Sequence, residues 1–307
     1  MKETFGKKTR RSHKRNQRVV MFWCAFVFAF VIAGVWLFRG TLFQNDSGAS
    51  SSGTNQSRHD ACGTADSRQK STDVTQAPMD HEVCQKLQDL VSQDQRVQQV
   101  IDNCEIYPED ILKMLSRNLD MLNFVLEYPE KVGQVFAETV GEVEGGEVPL
   151  LLQYDQRWGY GDYGNSSVAV SGCGPACLSM VITSLTGDDT ITPYVVAQYA
   201  SEQGYYVPGA GTAWTLMSEG AKHFGVIGEE LPLTKSIMEG VLKEGRPIIC
   251  SMRPGDFTTT GHFIVITGIK DGQFTVNDPN STERSNMLWD YDTLKPQISN
   301  LWAFQAL

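Results

Sequence analysis

The amino-acid sequence predicts an α+β domain over residues 148–307. Helical periodicity dominates the first part of this segment, whereas the last part alternates short runs rich in β-branched residues with turns. Strands that follow one another through short turns pair antiparallel, so we expect helices packed on one largely antiparallel sheet. A domain of about 160 residues is large enough to bury one hydrophobic core.

The most regular helical pattern begins at Cys173. Apolar and small residues recur after it at three- and four-residue steps until Gly187, and Pro175 falls in the first turn, where its missing N–H has no cost. The Cys173 thiol therefore lies at a helix N-terminus, where unpaired N–H groups and the helix dipole favour a thiolate by about 0.3–1 kcal/mol. This segment alone is equally compatible with a nucleophilic cysteine, with a small core residue and with half of a redox pair with Cys177.

The remaining elements of the domain follow from the same two periodicities and from turn residues. Helices are expected over Pro193–Gln203, Ala213–Phe224 and Lys235–Leu242, the last with Thr234 as a plausible N-cap. Strands are expected over Arg246–Met252, His262–Ile269, Gln273–Asn277 and Leu301–Leu307, and Val148–Tyr154 is also a strand-like run.

A nucleophilic cysteine needs a base and a group that orients the base. Of the five histidines, only His223 and His262 lie in the same domain as Cys173. His223 comes late in a helix beside Lys222, which is typical of a solvated side chain. His262 opens an apolar strand, where a polar group is unusual, and is the better candidate for the base. The alternative for His262 is a buried core histidine without a catalytic role.

Asp278 is the candidate for the orienting group, and the register of the hairpin decides whether it reaches His262. A plain two-residue turn at Asp271-Gly272 would put Asp278 on the opposite face of the sheet. A turn with Gly272 as a G1 bulge would instead place Asp278 across from Ile264, diagonal to His262 on the same face and within reach of it. The site therefore requires the bulge. An Asp before a Pro is also a common strand-ending turn.

The N-terminus has the pattern of a membrane anchor. Residues 1–18 carry eight Lys or Arg against one acidic residue, and residues 19–38 are all uncharged and largely apolar. About 20 such residues cross a hydrocarbon core as a helix. Basic residues before the span predict a cytoplasmic N-terminus and an extracellular domain after residue 39. The alternative is a cleaved signal peptide, but its apolar core is usually only about 7–15 residues long, with a small-x-small cleavage site after it. We therefore expect a single-pass protein of the cell membrane.

The chain beyond residue 18 is acidic and changes composition twice. It holds 18 basic and 35 acidic side chains, a balance that argues against nucleic acid as a partner. Residues 39–78 are rich in Ser, Gly, Thr, Asn and Gln and are expected to be a flexible linker.

Residues 79–141, the helical module, show apolar stripes of short helices without a catalytic constellation. Its repeated Tyr-Pro-Glu, at residues 107–109 and 128–130, looks like a duplicated helix start. We interpret the module as a spacer or docking unit.

The cysteines and the acidic, glycine-containing linker from Glu142 to Glu147 leave two questions open. The seven cysteines show no zinc-like spacing, so we expect no structural metal and no cofactor. Cys84 and Cys104 could form a disulfide if their helices pack antiparallel, which the sequence does not decide. Gly145-Gly146 follows the module, and adjacent glycines in such a segment usually serve only as a flexible link.

Several local sequences resemble those of papain-like cysteine peptidases, in particular the branch related to the bacteriocin-processing, double-glycine peptidases. They cover about residues 148–307 and are Gln153-x-x-x-x-Trp158-Gly159, Gly172-Cys173-Gly174-Pro175-Ala176-Cys177-Leu178-x-Met180, Gly211-Thr212-x-Trp214, Gly261-His262-Phe263 and Asn277-Asp278-Pro279. The helical module with its Tyr-Pro-Glu turns also resembles one that accompanies such domains in Gram-positive bacteria.

The resemblance implies a papain-like fold, in which the cysteine-bearing helix packs on the antiparallel sheet. It implies that Cys173 is the nucleophile, His262 the base and later the acid, and Asp278 the residue that orients His262. Many relatives carry a Gln six residues before the Cys that helps to form the oxyanion hole, but Ser167 occupies that position here. Gln153 could serve instead if the intervening segment loops out, and the backbone N–H of Cys173 is the other expected donor.

The expected function is that of a membrane-anchored extracellular cysteine peptidase that hydrolyses peptide bonds through a thioester acyl-enzyme. One alternative is a hydrolase on the same scaffold that cuts peptidoglycan peptide stems, and another is an inactive peptide-binding relative. A transporter-fused peptidase is not expected, because the sequence shows no Walker loop and only one span. If the domain is a double-glycine peptidase, Gly145-Gly146 is a candidate for self-processing.

Overall fold

The computed structural model of the chain describes residues 80–307. The predicted basic segment (1–18), membrane span (19–38) and linker (39–78) lie outside the described residues. Within residues 80–307, no helix has both the length and the apolar character needed to cross a membrane.

The helical module contains four short helices packed around an apolar core. They are α1 (His81–Val91), α2 (Val97–Asp102), α3 (Glu109–Leu115) and α4 (Leu122–Lys131). The Asp80 side chain caps α1 by accepting a hydrogen bond from the backbone N–H of Glu82. The apolar stripes of the helices converge on Leu87, Val100 and Leu115, which are fully buried.

The second Tyr-Pro-Glu sequence does not begin a helix, contrary to the expectation. Pro108 directly precedes α3, as predicted, but Pro129 lies inside α4, in its last turns. A proline so close to a helix end removes only one hydrogen bond near the terminus. Tyr128 is buried and its ring meets that of Phe124 edge-to-face at 5.9 Å, and this packing holds the segment in the helix.

The C-terminal part of the chain is an α+β unit around a six-stranded antiparallel sheet, as the sequence predicts. The strand order is β5-β10-β6-β7-β8-β9, with β5 Val226–Glu230, β6 Ile248–Met252, β7 His262–Lys270, β8 Gln273–Asn277, β9 Leu288–Trp289 and β10 Ile298–Ala306. Two short hairpins accompany the sheet, β1 (Asp162–Tyr163) with β2 (Ser166–Ser167) and β3 (Tyr206–Val207) with β4 (Gly211–Thr212). Helices of this part are α5 (Val168–Ser171), α6 (Cys173–Thr186), α7 (Pro193–Glu202), α8 (Thr215–Ser218), α9 (Lys235–Lys243), α10 (Thr282–Ser285) and α11 (Tyr291–Leu294).

The sheet separates two apolar cores, because successive side chains of a strand point to opposite faces. On one face, Val265 and Trp302 pack with α6 side chains such as Met180. On the other face, Ile264 and α9 residue Met238 belong to a second cluster. Helix α6, in which Gly174 to Thr183 are buried, thus packs on this face of the sheet.

Two local predictions for this part are wrong, and one strand was missed. The run 148–154 is not a strand, although several of its side chains are buried. The expected helix over 213–224 is broken at Glu219 into α8 and a 3₁₀ turn, Gly220–Phe224. Strand β5 was not expected; it lies at the edge of the sheet and pairs with β10, more than 60 residues away in the chain.

Candidate active site

Helix α6 places Cys173 at its first position, as the sequence predicts. Residues Gly174 to Thr183 are buried, and the helix ends at Gly187, whose φ of 72° is left-handed. A Cβ atom on Gly174 would lie 2.6 Å from the Thr212 hydroxyl oxygen, so the hairpin β3–β4 can approach the start of α6 only because this residue is a glycine. Cys173 itself is half-buried and lines an open cleft.

The hairpin β7–β8 brings Asp278 to His262 through a bulge, but not the expected one. Asp271-Gly272 forms a plain two-residue turn in which Lys270 pairs with Gln273. Both turn residues have positive φ, 52° and 80°, as a type I′ turn requires. The extra residue is instead Thr267, where the register shifts by one. The shift has the effect predicted for a bulge at Gly272, because it aligns Asp278 with His262 on one face of the sheet.

The side chains of His262 and Asp278 form a direct hydrogen bond. Nε2 of His262 lies 2.7 Å from Oδ1 of Asp278, and both residues are buried, with 8% and 0% of their surface exposed. The Cys173 side chain lies close enough to the imidazole to raise its pKa, and both residues line the same cleft. Because Asp278 occupies Nε2, the ring nitrogen that faces the thiol is Nδ1. The structure therefore brings the three predicted residues together in the order Cys173, His262, Asp278.

The charges of this group favour a protonated imidazole next to an ionised carboxylate. Burial lowers the pKa of His262, but the Asp278 charge, the hydrogen bond to Asp278 and the contact with Cys173 raise it, and the resulting pKa is about 10. Burial raises the pKa of Asp278, whereas His262 and then Arg284 lower it by more, to below its usual value. At neutral pH His262 is therefore protonated and Asp278 is ionised.

Sequence reasoning missed the ligands that hold the Asp278 carboxylate in place. Oδ2 accepts a hydrogen bond from Nε of Arg284 at 2.5 Å, and Oδ1 accepts a second one from the backbone N–H of Asn280 at 2.8 Å. The backbone N–H of Asp278 donates to Oγ of Ser285 at 2.9 Å. The two carboxylate ligands and Ser285 all come from the turn and the short helix α10 after β8. An Asp and an Arg six residues apart form no recognised sequence motif.

Gln153 lies beside Cys173 and His262 in the cleft, although the segment that carries it is not a strand. It is 3% exposed and lines the same cleft as Cys173. Its Nε2 donates to the backbone carbonyl of Ala169 at 2.5 Å, and its backbone N–H donates to the carbonyl of Pro279 at 2.8 Å. An amide nitrogen carries two protons, so one remains for a further acceptor. Ser167, six residues before the Cys, is buried, and its hydroxyl has no partner among residues 80–307.

Comparison with known proteins agrees with the resemblance seen in the sequence. Residues 146–305, just over half of the chain, match the Peptidase_C39 like family. The chain belongs to this C39-like peptidase family. The predicted relationship to papain-like peptidases of the double-glycine branch is thereby confirmed.

One solved structure similar to this C39-like chain is the peptidase domain of Streptococcus ComA, described as a bi-functional ABC transporter involved in a quorum sensing pathway. It is 16% identical, and the alignment covers 45% of this chain and 93% of that domain, with a TM-score of 0.36. No curated protein sequence matches the chain.

The cleft of this C39-like chain has a volume of about 580 Å³ and receives side chains from four parts of the molecule. These are the start of α6 with Gln153, the loop 255–261 that leads into His262, the turn and helix 280–284 after Asp278, and the helical module. A volume in this range is typical of sites that bind small molecules or short peptides.

The other cysteines and histidines among residues 80–307 do not line the cleft. Cys177 is fully buried one turn below Cys173, and burial raises the pKa of its thiol well above the usual value. His223 stacks on Tyr199 with ring centroids 4.2 Å apart and does not line the cleft. Cys84 and Cys104 are half-buried in the helical module. Within residues 80–307, no three His, Cys, Asp or Glu side chains are grouped so that they could hold a metal ion.

The candidate self-processing sequence lies near the other end of α6. Gly145 lines a depression of about 360 Å³ together with Thr183 and Gly187. Thr183 is ten residues after Cys173, which corresponds to about 15 Å along a helix. A cut at Gly145-Gly146 by the Cys173 of the same chain would therefore require this segment to move by about that distance.

Proposed function

We propose that the chain is a cysteine peptidase that hydrolyses peptide bonds through Cys173, His262 and Asp278. The observation that carries this proposal is the 2.7 Å bond between His262 and Asp278, together with the position of Cys173 close to the imidazole in the same open cleft. A buried histidine without a role in chemistry would have no reason to be aligned between a carboxylate and a half-exposed thiol.

The first half of the reaction forms a thioester. Sγ of Cys173, as the thiolate, attacks the carbonyl carbon of the scissile peptide bond, while the imidazolium of His262 holds the proton. Nδ1 of His262 then gives this proton to the leaving amine as the C–N bond breaks, and the first product leaves with a new N-terminus. Asp278 keeps the imidazole oriented and stabilises its positive charge.

The second half hydrolyses the thioester. His262, now neutral, takes a proton from a water molecule whose oxygen attacks the thioester carbonyl. The C–S bond breaks, the thiolate of Cys173 and the imidazolium of His262 are restored, and the second product leaves as a carboxylic acid. Each step develops negative charge on the carbonyl oxygen, which must be stabilised by hydrogen-bond donors.

Two donors are available for that oxygen. The backbone N–H of Cys173 lies at the start of α6, where N–H groups have no partner within the helix. The second proton on Nε2 of Gln153 is the other donor, since Gln153 lines the cleft beside Cys173. Gln153 would thus replace the Gln that many relatives carry six residues before the nucleophile.

The location of the enzyme is part of the proposal. A membrane anchor at residues 19–38, with the peptidase outside the cell, rests on the apolar run and on the basic residues before it. These residues lie outside the described part of the chain. A Gram-positive bacterium as the source rests only on the resemblance of the helical module. Protease digestion of intact cells that express the chain tests the orientation: the domain after residue 39 should be degraded, and its protection would contradict an extracellular position.

Labelling with a thiol-reactive peptide probe tests the chemistry. The full-length chain and the Cys177→Ala variant should be labelled, the Cys173→Ala variant should not, and His262→Ala should react much more slowly. The same proteins should release new amines from an unfolded protein substrate in the same order. Release from purified peptidoglycan sacculi but not from protein would favour the cell-wall alternative, and an unlabelled wild-type chain would favour an inactive binding protein.

A further inference from the structure

The helical module forms one wall of the cleft that contains Cys173. Leu90 of α1, Met114 of α3 and Leu119 of the turn that follows α3 line it, and all three side chains are half-buried. They extend the apolar core of the module to the surface of the cleft. The module was interpreted from the sequence as a spacer or docking unit. Its position in the structure instead makes it a wall of the cleft.

The turn after α3 is attached to both loops that flank the candidate catalytic residues. Nδ2 of Asn118 donates to the backbone carbonyl of Asn280 at 2.8 Å, two residues after Asp278. Nη1 of Arg117 lies 3.3 Å from the hydroxyl oxygen of Thr259, three residues before His262. The turn therefore spans the cleft from one loop to the other.

The module also shares an apolar core with the residues before α6. It is therefore packed firmly against the rest of this unit and not joined to it only through a flexible link. The ring of Tyr160 stacks on that of Phe124 with centroids 4.3 Å apart, and its hydroxyl donates to the backbone carbonyl of Phe124. Tyr154 and Ala169 belong to the same buried cluster as the helices of the module. A wall that is packed this way keeps its position when a ligand enters the cleft.

We propose that the helical module supplies a substrate subsite in which Leu90, Met114 and Leu119 receive an apolar side chain of a polypeptide substrate. The inference rests on the proposed peptidase function, because the occupant is the chain that Cys173 would cleave. The two exposed charged residues at this wall, Arg117 and Asp120, have opposite signs, so their charges do not select a charged substrate residue. Contact with the three apolar side chains selects by hydrophobicity instead.

The test is the preference for an apolar residue, measured with a peptide library in which each position is changed between Leu and Gln. The purified full-length chain is compared with Met114→Gln, which places a polar side chain of similar size in the wall. Leu126→Gln is the matched control, because Leu126 is also a half-buried apolar residue of the module but does not line the cleft. For each protein the ratio of kcat/KM for the two peptides is determined, a ratio that does not depend on the fraction of folded enzyme.

The wild-type chain should prefer Leu over Gln at one position by about tenfold or more. Met114→Gln should abolish most of this preference, and Leu126→Gln should keep it. Absence of any Leu preference in an active wild-type enzyme, or an equal preference in both variants, would overturn the subsite while the peptidase function stands. A rise in kcat/KM for all peptides with Met114→Gln would also overturn it, because the module would then obstruct the cleft. If the wild-type chain cleaves no peptide and Cys173 is not labelled, the proposed function itself has failed.

Discussion

Arg284 binds one oxygen of the Asp278 carboxylate, and His262 binds the other. Nε of Arg284 donates to Oδ2, while Nε2 of His262 binds Oδ1, so the buried carboxylate is fixed between two cationic partners. The guanidinium also lies over the ring of Phe257, 6.0 Å from its centroid, at the wall of the cleft. A carboxylate with no exposed surface would otherwise be neutralised by protonation, so Arg284 helps to keep Asp278 ionised.

Replacing Arg284 by Gln should change the pH dependence of the reaction as well as its rate. Loss of the positive charge raises the pKa of Asp278, and the acidic limb of kcat/KM moves to higher pH. The imidazolium of His262 loses a neighbouring cation, so its pKa of about 10 in the wild-type chain rises and the alkaline limb also moves up. Arg284→Lys should keep both limbs closer to those of the wild type. pH–rate profiles of the three proteins that coincide would contradict this role.

The pair of His262 and Asp278 should make stability depend on pH in a defined window. His262 has a raised pKa, so its contribution to the free energy of unfolding is full below about 6.5 and is lost as pH rises towards about 10. Asp278 has a lowered pKa, so its contribution is full above 3.8 and is lost as pH falls below this value. Both contributions are present between these limits.

Urea unfolding of the wild-type chain and of His262→Gln at several pH values measures the effect. The difference between the two proteins in the free energy of unfolding should be largest near pH 5–6 and should shrink steadily between pH 7 and pH 10. A difference that grows with pH in this range would mean that His262 is neutral in the folded chain.

Replacing two glycines that have free space around them by alanine should change the free energy of unfolding in opposite directions. A Cβ atom at Gly272 or at Gly240 would meet nothing within 4 Å. Gly272 has a φ of 80° in the turn between β7 and β8, whereas Gly240 lies inside α9 without a positive φ. Gly272→Ala should therefore lower the free energy of unfolding by about 1 kcal/mol, and Gly240→Ala should raise it by about 0.5–1 kcal/mol. Chemical denaturation distinguishes the two signs, and a Gly272→Ala chain as stable as wild type would argue against the type I′ turn.

The start and end of α6 follow from local chemistry and were predictable. Glycine and proline at its start and Gly187 at its end act through the backbone of their own residues, so the helix that carries Cys173 can be read from the sequence. The strands from β6 to β8 are predictable for a similar reason, since each is a run of β-branched residues between turns. The partner of His262 was also correctly named, but by way of a bulge at the wrong residue.

What the sequence did not reveal depends on contacts between distant residues. The bulge at Thr267 is accompanied by a hydrogen bond between its hydroxyl and that of Thr275 on the neighbouring strand, and neither residue marks a bulge by itself. The ligation of Asp278 by Arg284 depends on how the chain turns after β8. The wall contributed by the helical module depends on packing such as that between Phe124 and Tyr160, 36 residues apart in the chain. None of these relationships has a local pattern.

Gln153 provides the most direct test of how the carbonyl oxygen is stabilised. Gln153→Ala should lower kcat by about 10²–10³-fold with little change in KM, because an oxyanion donor acts mainly in the transition state. Gln153→Glu removes the donor, keeps the size of the side chain and adds a negative charge to the site. Its kcat should fall at least as strongly. Steady-state kinetics of both variants measure the effect, and thermal unfolding verifies that the lost bond to the Ala169 carbonyl has not unfolded the chain. If KM rises and kcat stays unchanged, Gln153 serves in substrate binding or in packing, and the Cys173 backbone N–H must act with another donor.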